Sequence, residues 1–101
     1  MAVKVFIKRR VKAGKTENAI EMLKELRWEA LNQPGYISGE TLVDHYDPRN
    51  ITVISMWKTV DDWIHWQESD LREAWEGRLS GILELPTKYE VYDVERVVRE
   101  E

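Results

Sequence analysis

The side chains that could do chemistry are few. His45 and His65 are the two histidines, there is no cysteine, and no His-x-x-x-His or similar spacing occurs. A protein metal site and thiolate chemistry are therefore not expected. A histidine ordinarily titrates at about 6.5, which suits a general base, so His65 is a candidate for that task. Helical phase sets it almost opposite the inner stripe of its segment, where a solvated histidine is the plainer reading. His45 falls in a polar turn, where the same reading applies. Glu40 follows Tyr36 and Ser38 at alternate positions of an apolar-polar run, which places all three on one strand face. Lining a cavity, Glu40 would be a partly buried carboxylate of raised pKa and a fair general base; facing water, it is a strand-face charge. Lys8 and Arg10 read either as partners for an anionic ligand or as charges that protect a sheet edge, and the second reading is favoured. There is no Gly-rich phosphate loop, Gly-x-Ser-x-Gly elbow or dinucleotide fingerprint.

The aromatic residues say more. Four of the five tryptophans lie between Met56 and Trp75. Trp57 closes an apolar run at a strand-to-helix junction, a position that fits a core or interface aromatic and a pocket wall equally well. Trp66, at about 100° per residue, lies off the stripe formed by Val60, Trp63, Ile64 and Gln67, so it flanks the core and suits the wall of a cleft. Trp63 and Trp75 sit on inner stripes and read as core. Trp28 is off the stripe of its own helix and reads as an interface residue.

The elements that must position these residues follow from periodicity. From Val3 to Lys12 the chain alternates: Val3, Val5, Ile7 and Val11 share one face with Arg9, while Lys4, Lys8, Arg10 and Lys12 share the other with Phe6, as in a half-buried strand. Ala13-Gly14-Lys15 breaks the run, and Thr16 is placed to cap a helix with Ala19, Met22, Leu23, Leu26 and Ala30 on its stripe. Asn32-Gln33-Pro34-Gly35 ends that helix. Tyr36–Val43 and Ile51–Trp57 read as strands joined by the polar turn Asp44–Asn50. Thr59-Val60-Asp61-Asp62 resembles a capping box that opens a short helix. Ser69-Asp70 caps another, with Leu71, Ala74, Trp75 and Arg78 inward. Pro86 closes this region, Tyr89–Val94 is a fourth strand, and residues 95–101 form a charged tail.

The order β-α-β-β-α-β is that of a ferredoxin-like α+β domain: an antiparallel four-stranded sheet with helices on one face. Its other face carries apolar residues that no helix covers, and a two-fold partner would bury them, so a homodimer is expected. The 101 residues suffice for one domain. Hydrophobic residues at 43% and charged residues at 34% fit a soluble globular chain, and a net charge of −4 argues against a general nucleic-acid binder. The N-terminal run does not read as a signal peptide and no run spans a membrane, so a cytoplasmic protein with no membrane or nucleic-acid partner is expected.

Trp57-Lys58-Thr59-Val60-Asp61-Asp62-Trp63, followed by Trp66 and Ser69, and Pro34-Gly35-Tyr36 ahead of the second strand, resemble the antibiotic biosynthesis monooxygenase family of dimeric α+β barrels. The likeness runs from about Val3 to Val94. It implies a pocket beside the sheet for a small hydrophobic or aromatic ligand, walled by Trp57, Trp66 and Tyr36, and chemistry without flavin or metal cofactor. Where the quinone-forming oxygenases of the superfamily carry a substrate-binding asparagine, in Asn-x-x-x-Trp, this chain has Val53. Where the heme-degrading branch carries a histidine ligand it has Glu76, and the first-strand asparagine of that branch falls on or near Ile7. The polar half of neither site is in place. The resemblance implies a cofactor-independent monooxygenase acting on an aromatic or polycyclic substrate, with Glu40 or His65 as its base. A non-catalytic dimeric small-molecule-binding protein is the alternative, and a heme-binding or heme-degrading relative a further one.

Overall fold

The alternation at the N-terminus is realised as β1 (Val3–Arg10), which lies inside the sheet between two antiparallel neighbours. The computed structural model describes residues 1–99. The remaining elements are α1 (Thr16–Leu31), β2 (Tyr36–Val43), β3 (Asn50–Trp57), α2 (Val60–Gln67), α3 (Asp70–Ser80) and β4 (Lys88–Asp93). The strands stand in the order β2-β3-β1-β4, all antiparallel. This is the expected ferredoxin-like arrangement, with the helices on one face. The expected charged tail extends past the described residues, since residues 100 and 101 lie outside them.

Strand parity sorts the sheet into a helix face and an open face. Val3, Val5, Ile7 and Arg9 are buried on the helix face beside Trp57, Ser55, Val53 and Ile51 of β3. They pack against Ala19, Leu23, Leu26 and Ala30, the stripe expected of α1. The open face carries Lys4, Phe6 and Lys8 of β1 opposite Tyr92, Glu90 and Lys88 of β4, with Phe6 and Tyr92 edge to face at 5.4 Å.

Three local expectations are corrected. Thr16 does not cap α1: Lys15 occupies the cap position without a side-chain bond, and the Thr16 hydroxyl donates to the Pro48 carbonyl instead. The inward stripe of α2 is Trp63 and Trp66, while Val60 and Ile64 are exposed, because two indoles three residues apart bury more apolar area than a valine and an isoleucine. The inward residues of α3 are Arg72 and Leu79, with Leu71 exposed and Trp75 only half buried. Arg72 turns inward because its guanidinium stacks over Trp63, 5.2 Å from the ring centre, and Tyr89, at 5.5 Å. Both caps of these helices form as expected: Thr59 accepts from the Asp62 amide and Ser69 from the Arg72 amide.

The long hairpin loop is held by charge. Asp44 accepts from the amides of Tyr46 and Asp47, and Arg10 donates to Asp47 and Asn50 at 2.9 and 2.8 Å. The Arg10 hydrogen bond, with help from the Arg49 amide, holds the Asp47 carboxyl below its ordinary range. At the other end of β2, Gly35 adopts φ +82°, and a Cβ there would strike the Asp62 side chain, so the turn from α1 into β2 needs glycine. No helix among the described residues is long and apolar enough to cross a membrane.

Candidate functional site

A cavity of about 50 Å³ lies between the helix face of the sheet and the helices. Four residues nominated from the sequence meet there: Trp57, Trp66, Tyr36 and Val53 all line it. Trp57 ends β3, paired with Val3 on one side and Tyr36 on the other, and is buried to 1% exposure. Its indole N–H donates to the Ser55 hydroxyl at 3.1 Å. The Tyr36 ring meets it edge to face at 5.2 Å, and the Trp63 ring lies 6.0 Å away. Trp57 is thus core and pocket wall at once. So is Trp66, which is buried at 4% exposure.

The two nominated bases are not brought to this cavity. Pairing of β2 with β3 shifts register between Tyr36 and Ser38, leaving Ile37 as an extra residue. A single-residue bulge reverses strand parity. Tyr36 therefore faces the helices, while Ser38 and Glu40 face the open side beside Lys4, Ile54 and Met56. The expectation that Glu40 shares a face with Tyr36 fails at this bulge. His65 is exposed, on the side of α2 turned away from Trp63 and Trp66, as its helical phase indicated. His45 is exposed in the hairpin loop.

Polar groups of a different kind reach the cavity. Arg9, Arg27 and Arg72 line it, together with Ser55 and Thr41, and among the described residues its lining includes no acidic residue and no histidine. Arg9 and Arg72 are buried, at 4% and 3% exposure. Both bind Glu76 Oε1, Arg9 through Nη2 at 2.5 Å and Arg72 through Nη2 at 3.2 Å. Arg72 also donates to the Tyr89 hydroxyl at 3.2 Å. Burial pushes the Arg9 pKa down, and Glu76 offsets part of that shift. The half-buried lining residues belong to α1, β2 and β3, so the cavity opens between α1 and β2. At that mouth Arg27 Nη2 donates to Thr41 Oγ1 at 2.7 Å. Tyr36 stands beside them with its phenol pKa raised by burial, so it remains a neutral donor. Gly39 makes room for it, since a Cβ there would overlap the Tyr36 hydroxyl.

Sequence reasoning placed Arg9 on the apolar face of β1 without assigning it a role, and read α3 in a phase that left Arg72 outside. A cation interrupting an otherwise apolar face was the available signal for Arg9. For Arg72 it was the i, i+4 pairing with Glu76. Among the described residues no group of three potential metal-ligating side chains comes together.

The model of the antibiotic biosynthesis monooxygenase family matches residues 2–78. Among solved structures, a conserved protein from Methanosarcina mazei is 25% identical with a TM-score of 0.85, covering 91% of each chain. A proposed antibiotic biosynthesis monooxygenase from Nitrosomonas europaea is 20% identical with a TM-score of 0.87, over 93% of this chain and 90% of the other. A variant of SnoaB, a cofactor-independent oxygenase from Streptomyces nogalater, is 12% identical with a TM-score of 0.84, over 98% of both chains. No match was found among curated protein sequences. With more than three quarters of its length matched by the family model, and with the family's sheet and helices in place, this chain belongs to the antibiotic biosynthesis monooxygenase family.

Proposed function

We propose that the protein is a cofactor-independent monooxygenase of a small, single-ring aromatic substrate, acting in the cavity between sheet and helices. The observation that carries this reading is the convergence of Trp57, Trp66, Tyr36 and Val53 on one cavity that also holds three arginines. Aromatic walls hold a flat ring and exclude water. The cavity has room for a few water molecules, well below the roughly 300 Å³ where pockets for drug-sized ligands begin. A single ring, admitted by movement at the half-buried mouth, is therefore favoured over a polycycle. With Glu40 and His65 elsewhere, no side chain of ordinary base strength among the described residues lines the site. The guanidinium groups take that part by favouring the ionised form of a phenol, whose proton passes to water.

The ring carbon of the bound phenolate then donates electrons to O₂ and forms a bond to one oxygen. The O–O bond breaks, one oxygen stays on the ring, and the other leaves as water. One hydroquinone and one O₂ give one hydroxybenzoquinone and one water, so O₂ is the sole oxidant. An oxygen electrode with hydroquinone and gentisate is expected to record one O₂ consumed per substrate without peroxide release, and Trp66→Ala is expected to lower kcat/KM at least about tenfold.

The lack of a carboxylate or imidazole among the described residues lining the cavity favours, as a second reading, a binding module without catalysis; absence of uptake with every phenol in the panel would select it. Heme does not fit these residues. Glu76 stands where the heme-degrading branch has its ligand, but its Oε1 already accepts from Arg9 and Arg72.

A homodimer formed through the open sheet face belongs to the same proposal. Phe6, Ile54 and Met56 are partly exposed there and Tyr92 is 52% exposed, a stripe that an isologous partner would cover. Light scattering at micromolar concentration should give twice the chain mass, and a monomer mass would contradict it.

A further inference from the structure

We infer that the cavity is built to bind a planar oxyanion, a carboxylate or phenolate carried on a single aromatic ring, with Arg9 as the group that receives it. Arg9 lines the cavity from β1 and is buried at 4% exposure. One of its nitrogens, Nη2, is taken by Glu76. Its Nε–H has no acceptor, and among the described residues it is the buried side-chain polar atom left without a partner. An unsatisfied buried donor is costly, more so on a charged group, so the site is poised for an acceptor.

Charge points the same way. Arg9, Arg27 and Arg72 line the cavity, and the one carboxylate against the buried pair, Glu76, lies outside its lining. Glu76 offsets one charge of the buried pair, and Arg27 adds a third guanidinium at the half-buried mouth, so the lining carries an excess of positive charge. A neutral carbonyl would satisfy Nε but not the charge; an oxyanion satisfies both. The flat guanidinium fork matches a flat carboxylate or phenolate edge. Trp57, Trp63 and Trp66 supply the apolar wall for the attached ring.

This inference rests on the preceding reading only in taking the cavity as the ligand site, not on oxygen chemistry. The test is anaerobic titration of tryptophan emission with benzoate and with neutral benzamide, alongside absorbance titration of para-nitrophenol. Benzoate is expected to quench emission saturably, benzamide to bind at least about tenfold more weakly, and para-nitrophenol to ionise at lower pH when bound. Arg9→Met, which leaves Glu76 paired with Arg72, is expected to weaken the anion roughly ten- to a hundredfold. Should that variant fold poorly, Arg27→Met at the half-exposed mouth gives a second reading, with a severalfold loss expected. Benzoate without para-nitrophenolate assigns the carboxylate, and the converse assigns the phenolate. Equal affinity for benzoate and benzamide, or unchanged benzoate affinity in a folded variant of either arginine, would overturn the inference. Anion binding without oxygen uptake would sustain it while removing the monooxygenase reading.

Discussion

Glu76→Ala is expected to destabilise the protein by about 3 kcal/mol, a fall in Tm of roughly 12–24 °C for a domain of this size. Glu76 is the common acceptor of Arg9 and Arg72, whose side chains are 2% and 4% exposed. Removing it leaves two buried guanidiniums facing each other with no carboxylate between them. Its own side chain is 20% exposed, so water enters part of the gap and keeps the cost at the lower end of what a broken buried pair commands. Glu76→Gln keeps an acceptor at the same place and should cost less than half as much. Differential scanning calorimetry on the two variants measures the difference. A loss within about 0.5 kcal/mol for the alanine variant, the usual range for an innocuous surface change, would mean that the cluster does not tie α3 to β1.

Trp57→Ala is expected to cost about 3–5 kcal/mol, the range for emptying a buried tryptophan site. The side chain is 1% exposed and contacts Tyr36 and Trp63. Its loss also leaves the buried Ser55 hydroxyl without the indole donor. Urea unfolding should show a lower midpoint at an unchanged m-value. Trp57→Phe retains most of the apolar volume and should fall between the two. Because Trp57 and Trp66 are both core and cavity wall, loss of ligand binding in either alanine variant is read beside its unfolding midpoint, and the arginine variants carry the functional comparison.

Much of the fold was legible because period and parity are local. The face of β1 that reads Val3, Val5, Ile7, Arg9 in the sequence is the face that is buried, Arg9 included. The caps at Thr59 and Ser69 were legible because side chain and amide are three residues apart. Glu40 was misplaced because the bulge at Ile37 is decided by the partner strand, and nothing in Tyr36–Val43 itself marks where an extra residue enters. The phases of α2 and α3 failed for a related reason. Which stripe faces inward depends on what waits there: Trp63 and Trp66 find the sheet, and Arg72 finds two aromatic rings and Glu76. In the candidate site the aromatic half could be read from residue type and position. The cationic half could not, because Arg9, Arg27 and Arg72 come together only through the sheet and both long helices.

The most direct measurement is a crystal structure of the protein grown with gentisate, which carries a carboxylate and a hydroquinone on one ring. The expected result is the ring between Trp57 and Trp66 in the helix-side cavity, with an oxygen of its anionic edge within hydrogen-bonding distance of Arg9 Nε. Gentisate found instead on the open sheet face beside Glu40, with the helix-side cavity still closed, would contradict it.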